Sequence, residues 1–397
     1  MCNKAAMITY SNPDFAVLGG GLAGRLLAWT LAKTHRVALY ERGDASGSSS
    51  AAWVAAAMLA PLAEAASAEP LLIELGVASL EAWPAILAAL PEPVFFQRAG
   101  TLVVWHGADR AEAGLFDSRM RANAPAALLE GGVQMLRGAE LAQVEPALAG
   151  RFTQGLLLPR EGQLDNRQLL HALGAGLNQR QVEQHWNTVV DAGNMPAARV
   201  LIDCRGLGSK PVWPALRGIR GEVARVHAPG IALARPVRLL HPRYPLYIAP
   251  KQDDIYVIGA TEIEGEDTSP VSVRSALELL SAAFSVHPAF GDARILELNS
   301  QNRPTLPDHR PAIVWSADAA GSGTLRHTLR VNGLYRHGYM VTPEVIGQAA
   351  GAAQALLAGE VASAEQFDAW SARSRWPALM HRQPAAGPTH APQAALS

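Results

Sequence analysis

The sequence FAVLGGGLAG, residues 15–24, joins a short apolar run to a helical pattern through spaced glycines. Gly19, Gly21 and Gly24 fit the G-x-G-x-x-G spacing of dinucleotide-binding turns. The first permits a tight strand-to-helix turn, the second lets a pyrophosphate approach the backbone, and the third lets the helix pack closely on the sheet. Leu22 and Ala23 begin the helix, where free N–H groups attract phosphates. These residues predict a dinucleotide site.

An acidic residue follows at the distance that a nucleotide site requires. The run RVALYE, residues 36–41, is typical of a second strand and ends at Glu41, twenty residues after Gly21. A carboxylate at this spacing can accept hydrogen bonds from ribose hydroxyls. Strand, helix and acid together predict an α/β fold with a Rossmann-like lobe.

Composition limits the remaining possibilities. The 397 residues are 49% hydrophobic and 17% charged, which predicts two lobes with large buried cores. A net charge of −1 argues against general nucleic-acid binding, which needs a basic surface. Cys2 and Cys204 are too far apart for a disulfide framework or a zinc site. We therefore expect no metal and a reducing, cytoplasmic setting.

Two segments bear on membrane association. Residues 1–12 lack the apolar core of a signal peptide. The apolar stretch at residues 51–63 is too short to cross a bilayer, and its alanines before Pro61 favour a buried helix. We therefore expect a protein that is not associated with a membrane.

The middle of the chain changes to β-rich patterning. Short apolar runs between residues 221 and 259 are separated by Pro, Gly and charged residues, as in an antiparallel sheet. The alternation of strand and helix seen at the start of the chain then recurs. It comprises a predicted strand at residues 328–331 and a predicted helix with Pro343 in its first turn. The final residues, 376–397, are rich in Pro, Ala, His and Gln and predict a disordered tail. Both lobes are thus expected to be discontinuous, with the ligand between them.

Several short runs match a known family. They are Ala57-Met58-Leu59-Ala60-Pro61, Arg238-Leu239-Leu240-His241-Pro242-Arg243, Tyr247-Ile248-Ala249-Pro250, Ile258-Gly259-Ala260-Thr261, Arg303-Pro304 and Asn332-Gly333-Leu334-Tyr335-Arg336-His337-Gly338. With the glycine fingerprint, they resemble the D-amino-acid oxidase superfamily of FAD-dependent oxidoreductases, and within it the bacterial glycine oxidases. The resemblance extends over residues 14–358.

The resemblance implies FAD, held non-covalently because neither cysteine occupies a tethering position. It implies an N-terminal arm, residues 1–13, and an FAD-binding domain from residues 14–75, 140–215 and 300–360. An antiparallel-sheet α+β substrate domain would comprise residues 76–139 and 216–299. The expected cofactor-binding residues are Gly19, Gly21, Leu22, Ala23, Gly24, Glu41, Arg42, Ser49, Ser50, Met58, Leu59, Gly206, Arg336, His337, Gly338, Tyr339, Met340 and Val341.

The resemblance also implies which residues hold the substrate. Arg303 matches an arginine that clamps the substrate carboxylate, with a structural arginine before Pro304 as the alternative. Tyr247 matches a tyrosine whose hydroxyl donates to the same carboxylate, with a packed strand tyrosine as the alternative. Arg336 would lie beside flavin and substrate, whereas His337 is expected to be structural.

Two positions depart from the family pattern. Glu262 stands where glycine oxidases often carry an apolar residue of the substrate pocket. Its carboxylate would repel a substrate carboxylate or bind the amine, or would do neither if turned to solvent. Residues 55–57 are all alanine where relatives tend to have glycine. The stretch 43–50 could let the cofactor approach the backbone or form a flexible surface loop.

The activity implied is oxidation of glycine to its imine, with O2 reduced to H2O2. The imine would be passed to a thiazole synthase in thiamine biosynthesis, while free imine would hydrolyse to glyoxylate and ammonia. One alternative is an oxidase or dehydrogenase for sarcosine or a small D-amino acid. Another is a flavoprotein that has lost catalysis and serves as a binding partner. Glycine oxidases are often tetramers, so a homo-oligomer is compatible with the resemblance.

Overall fold

The computed structural model describes residues 12–240, 246–319 and 325–383. The expected N-terminal arm up to residue 11, the run His241-Pro242-Arg243 and the tail from residue 384 lie outside the described residues. The strands are β1 (Phe15–Leu18), β2 (Val37–Tyr40), β3 (Met58–Leu59), β4 (Phe96–Gln97), β5 (Thr101–Val104), β6 (Gln134–Arg137), β7 (Gln154–Leu158), β8 (Gly162–Leu164), β9 (Glu183–His185), β10 (Val200–Asp203), β11 (Arg217–His227), β12 (Val237–Leu239), β13 (Leu246–Pro250), β14 (Ile255–Gly259), β15 (Ile263–Glu264), β16 (Arg294–Thr305), β17 (Ala312–Ala319), β18 (Leu325–Asn332) and β19 (Met380–Arg382). The α-helices are α1 (Leu22–Leu31), α2 (Pro61–Glu64), α3 (Pro70–Ala88), α4 (Arg110–Asn123), α5 (Ala126–Leu129), α6 (Ala139–Val144), α7 (Asn166–Gln179), α8 (Val273–Val286), α9 (Gly338–Ala358) and α10 (Ala364–Arg373).

The first lobe is built on a mostly parallel sheet. Its strand order is β19-β17-β18-β10-β1-β2-β9, with β17 antiparallel to β18. In the register of β1, Leu18 lies opposite Tyr40 of β2 on one side and Asp203 of β10 on the other. The carboxyl ends of these three strands therefore meet at one edge, which is where open α/β sheets bind ligands.

The second lobe is a largely antiparallel sheet. Its order is β15-β11-β14-β13-β12-β5-β7-β6, with β16 also paired to β11, and only β12 and β5 run parallel. Helix α8 covers one face because its buried residues Leu279, Ala283 and Val286 share a core with Ile248 and Ile258. A small sheet of β3, β8 and β4 lies beside the two. The predicted combination of a Rossmann-like lobe and an antiparallel α+β lobe is confirmed.

Helix α9 begins earlier than the sequence suggests. It starts at Gly338, so Pro343 lies in its second turn instead of its first. Proline cannot donate to the carbonyl four residues back. The Tyr339 carbonyl accepts the indole N–H of the buried Trp83 at 3.0 Å instead. A tertiary hydrogen bond thus replaces the helical one that Pro343 removes.

The segment boundaries differ from the sequence-based ones at three places. Strands β7 and β16 both belong to the antiparallel sheet, although the sequence-based segments 140–215 and 300–360 place β7 and residues 300–305 of β16 in the other domain. Helix α3 crosses the boundary expected at residue 75, and beyond it Gly76 and Trp83 contact α9. Residues 377–382 form a short helical turn and β19, which pairs with β17, so the tail prediction is wrong there. Hydrophobic periodicity indicates an element but not which sheet it joins.

The alanine-rich segment is not a continuous helix. Residues 51–57 form turns and irregular backbone, followed by β3 and the four-residue helix α2. Pro61 begins α2 at a position where no N–H is needed. Ala57 has a φ of 52°, a left-handed backbone that costs a residue with a Cβ but not glycine.

Helix α3 is long and apolar enough to cross a membrane, alone among the helices of the described residues. Its side chains Leu72, Leu75, Leu80 and Trp83 are buried in the core of the first lobe. Length and composition of this kind are equally typical of a core helix.

Candidate active site

The glycine turn has the geometry that its spacing predicts. Gly19 has a φ of 101°, and a Cβ on it would lie 2.5 Å from the Cys204 carbonyl oxygen. A Cβ on Gly24 would lie 1.8 Å from the Gly19 carbonyl oxygen, so the helix contacts the strand there. A Cβ on Gly21 would meet only Ser50, at 3.6 Å, and this residue faces the cavity. The turn is therefore packed on the protein side and open on the ligand side.

Glu41 and Arg25 hold this turn in place. The Glu41 carboxylate accepts the N–H of Gly20 at 2.5 Å and that of Gly43 at 2.8 Å. Arg25 is buried inside α1 and donates to the carbonyls of Gly20 at 2.7 Å and Ala45 at 2.8 Å. The loop of residues 43–50 is thus tied to the glycine turn. Arg25 was not foreseen, although an arginine within an apolar helix is a signal for such a role.

A long cavity passes from the glycine turn to the junction of the two lobes. It is lined by these predicted cofactor-binding residues: Gly19, Gly21, Leu22, Ala23, Glu41, Arg42, Ser49, Ser50, Met58, Gly206, Arg336, His337, Gly338, Tyr339 and Met340. The predicted substrate residues Tyr247, Glu262 and Arg303 line it as well. Gly24, Leu59 and Val341 do not line the cavity. Gly24 is in the helix–strand contact, and Leu59 and Val341 are in the core.

The cavity fits FAD on two structural observations. The open backbone at Gly21 leaves a cradle that a side chain would fill. The first residues of α1 and of α9, among them Leu22 and Gly338, both line the cavity, so two positive helix ends face it. The first would hold the pyrophosphate, and the second would lie at the pyrimidine edge of the flavin.

Glu64 is the centre of a buried ionic network that the sequence did not indicate. Its Oε1 accepts the Tyr247 hydroxyl at 2.8 Å and pairs with Arg238 Nη1 at 3.1 Å. Its Oε2 lies 3.2 Å from Arg336 Nη2 and 3.7 Å from His337 Nδ1. The hydroxyl of Tyr247, expected to donate to substrate, therefore donates to Glu64.

Burial sets the protonation of two groups in this network. Burial alone would raise the pKa of Glu64, but Arg336 and Arg238 lower it to about 2. Burial, followed by the charge of Arg336, lowers the pKa of His337 to about 3 despite the nearby Glu64. At neutral pH Glu64 is therefore an anion and His337 a neutral imidazole.

Arg303 differs from the other arginines of the site. It lies against Gly221, where a Cβ would be 2.1 Å from its Nη2. Its Nη1 donates to the Thr261 carbonyl at 3.1 Å, and it makes no ion pair with a carboxylate of the described residues. Burial lowers its pKa, but a guanidinium stays charged. Within the described part of the chain, the site thus holds a half-buried cation that lacks an anionic partner.

Glu262 closes the outer side of the pocket. Its Oε1 accepts the hydroxyl of Tyr335, and its Oε2 lies 3.3 Å from Arg336 Nη1. Its side chain is 38% exposed. Arg336 also donates from Nη2 to the Ser67 hydroxyl at 2.5 Å. Glu262 is therefore neither turned wholly to solvent nor free for a substrate amine.

Two further buried groups support the site and were missed. Glu161 accepts the N–H of Ala63 in α2 at 2.7 Å, and burial raises its pKa to about 8. Lys251 donates to the carbonyls of Ala56 at 2.9 Å and Leu164 at 2.8 Å, and burial lowers its pKa to about 7. Both side chains hold backbone segments that line the cavity.

The chain is similar to several proteins of established or assigned role. A Rhizobium etli protein that carries the name thiamine biosynthesis oxidoreductase ThiO is 40% identical over 335 residues, 84% of this chain and 94% of that protein. The glycine oxidase of Geobacillus kaustophilus is 28% identical over 357 residues, 83% of this chain and 90% of that enzyme. The bifunctional protein ThiO/ThiG of Synechocystis sp. is 26% identical over 229 residues, 50% of this chain and 32% of that protein.

The fold agrees with these likenesses. The crystal structure of the Geobacillus kaustophilus glycine oxidase matches with a TM-score of 0.73 at 23% identity, covering 89% of this chain and 96% of that one. The family model described as FAD dependent oxidoreductase, DAO, matches residues 14–371. With its glycine turn, two-lobed fold and cavity, the chain belongs to the DAO family of FAD-dependent oxidoreductases.

Proposed function

We propose that this protein oxidises glycine to its imine, with O2 as electron acceptor and H2O2 as second product. The observation that carries the proposal is Arg303, a half-buried cation in the cavity wall without an anionic partner among the described residues. An unpaired charge held partly away from water is costly, and a substrate carboxylate would satisfy it. The name of the relative from Geobacillus kaustophilus favours glycine as the amino acid.

The side chains of this site bind and orient the substrate. Arg303 would take the carboxylate, and Arg336 would add positive charge beside it from a position held by Glu64 and Glu262. Tyr247 forms part of the wall, and its hydroxyl would have to turn from Glu64 to donate to the substrate. The glycine turn and the start of α9 would hold FAD, and the chemistry supplied by the bound cofactor would be acceptance of a hydride from the substrate α-carbon and transfer of the electrons to O2.

Neither Glu64 nor His337 is suited to act as a general base. Glu64 has a pKa of about 2 and is held by Arg336 and Arg238. His337 is buried with a pKa of about 3. The contribution of the chain is therefore orientation of a substrate whose amine has already lost its extra proton, so that the Cα–H points at the flavin.

We also propose that the imine is delivered to a thiazole synthase. The name of the Synechocystis relative combines ThiO and ThiG in one polypeptide, which favours coupling of the two steps. We place the reaction in the cytoplasm, in keeping with the buried free thiol of Cys204.

Anaerobic stopped-flow mixing of the purified holoenzyme with glycine, sarcosine and D-alanine tests the proposal. Fast loss of flavin absorbance with glycine, and one H2O2 for each glycine in air, is the expected result. Reduction by sarcosine or D-alanine but not by glycine would contradict the glycine assignment. Reduction by glycine without H2O2 release would indicate a dehydrogenase instead of an oxidase.

A further inference from the structure

Five charged side chains lie at the substrate end of the cavity; four of them line it, and Arg238 lies behind them against Glu64 and Tyr247. The cations are Arg238, Arg303 and Arg336, and the anions are Glu64 and Glu262. Since His337 and the neighbouring Glu161 are both uncharged at neutral pH, three guanidinium groups face two carboxylates, and the cluster carries one net positive charge. One substrate carboxylate neutralises it. A second would leave an uncompensated negative charge in a largely buried site.

Residues 261 and 262 contact both Arg303 and Arg336. The Thr261 carbonyl accepts from Arg303 at 3.1 Å, while the Glu262 carboxylate lies 3.3 Å from Arg336. Arg336 therefore has a carboxylate on each side, Glu64 within the protein and Glu262 at the rim. Arg303 is left as the arginine to which a ligand carboxylate can bind without displacing a protein anion.

We propose that Glu262 restricts this site to amines that carry a single carboxylate. It neutralises Arg336, which could otherwise bind a second carboxylate of the substrate. It also places a negative charge at the rim, where the second carboxylate of an amino dicarboxylate would have to lie. Rejection by a like charge is a general means of specificity.

This inference rests on the proposed function, because it takes Arg303 as the anchor for a substrate carboxylate. It deepens that function by separating two substrate classes. Glycine and sarcosine carry one carboxylate and are accepted. Iminodiacetate and D-aspartate carry two and are rejected, although both contain an oxidisable amine.

Binding of unreactive ligands to the holoenzyme tests the inference without turnover. Acetate and malonate, at constant ionic strength, are titrated into wild type, Glu262→Gln and Glu262→Leu while the flavin absorbance is followed. We expect each substitution to lower the Kd of malonate at least about tenfold and to change that of acetate less than about threefold. Glu264→Gln removes the same charge from an exposed side chain of β15 and serves as the matched control.

Steady-state kinetics extend the same comparison to substrates. In Glu262→Gln, kcat/KM for iminodiacetate relative to glycine should rise at least about tenfold over wild type. The inference would be overturned if the Kd of malonate were unchanged in the Glu262 variants, or if the Kd values of acetate and malonate fell by the same factor. Failure of wild type to bind acetate would overturn both this inference and the anchoring role of Arg303. If wild type binds acetate and the Glu262 variants bind malonate more tightly, but glycine does not reduce the flavin, only the glycine assignment would be overturned.

Discussion

The role of each pocket side chain is set by its partners more than by its type. Arg303 and Arg336 are both half-buried arginines of the cavity wall. Arg336 is held by Glu64 and Glu262, whereas Arg303 contacts a backbone carbonyl. A guanidinium that already pairs with protein carboxylates gains less from a ligand carboxylate than an unpaired one. At the scale of single residues, the structure thus distinguishes the two arginines by their partners.

Replacing Arg303 should therefore weaken substrate binding specifically. A hydrogen bond to a charged group contributes about 1.5–3 kcal/mol, so Arg303→Gln should raise the KM for glycine about 10- to 100-fold. The KM is measured by H2O2 release, and the Kd of acetate by flavin absorbance should rise in parallel. Arg98→Gln, which removes a surface arginine paired with Glu81, is the control. An unchanged KM with full FAD content would show that Arg303 is structural.

At the scale of elements, different glycines of the turn between β1 and α1 serve helix packing and ligand binding. Gly24 contacts the Gly19 carbonyl, so it fixes how closely the helix approaches the strand. Gly21 has open space on its cavity side, so it matters to the ligand more than to the fold. Arg25 then connects the turn to the loop of residues 43–50. One short stretch thus carries both a folding and a binding requirement.

Alanine substitution should separate these two requirements. A Cβ at residue 24 meets backbone at 1.8 Å, so Gly24→Ala should lower the Tm of the apoprotein and abolish FAD retention. Gly21→Ala meets only Ser50 at 3.6 Å, so it should leave the apoprotein Tm nearly unchanged while weakening FAD binding. Thermal melts of the apoproteins and fluorimetric titration with FAD measure both effects. Equal losses of apoprotein Tm in the two variants would contradict this assignment.

At the scale of the whole molecule, the substrate end of the cavity depends on contacts between distant segments. Glu161, just before β8, holds Ala63 in α2, and α2 carries Glu64. Glu64 in turn binds Tyr247 of the antiparallel sheet and Arg336 at the start of α9. Both lobes thus contribute to one network, and the stability of the chain is coupled to groups beside the site.

This coupling predicts a pH dependence of stability. Burial raises the pKa of Glu161 from 4.5 to about 8, so the folded chain keeps a proton that the unfolded chain releases. The stabilisation is fully present below the pKa of Glu161 in the unfolded chain. It is lost as the pH rises through the pKa of Glu161 in the folded chain. The unfolding free energy of wild type, relative to Glu161→Gln, should therefore fall by ~1.4 kcal/mol per pH unit between about pH 5 and 8.

Urea unfolding of both proteins at several pH values measures this difference. Glu74→Gln, at an exposed position of α3, controls for the loss of a surface carboxylate. A constant difference between wild type and Glu161→Gln over this pH range would contradict a proton held by Glu161 in the folded state.

The amino-acid sequence by itself determined the nucleotide-binding half of this protein. The spacing of Gly19, Gly21 and Gly24 and the position of Glu41 are local in the chain, and their geometry follows from the strand–turn–helix unit alone. The family motifs likewise placed Arg303, Arg336 and Tyr247 at the cavity. Such features could be predicted because backbone rules and short motifs need no knowledge of distant contacts.

Only the tertiary structure decided which charges meet. Glu64 and Arg238 pair across 174 residues, and Glu64 directly follows the apolar stretch of residues 51–63, whose pattern favoured a buried helix. Glu262 is bound by Tyr335 and Arg336, which lie more than 70 residues further along the chain. Ion pairing and pKa values depend on burial and on distances between segments, which hydrophobic periodicity does not encode. The nucleotide-binding turn can therefore be predicted from the sequence, whereas the charge balance of the substrate pocket follows from the packing of the two lobes.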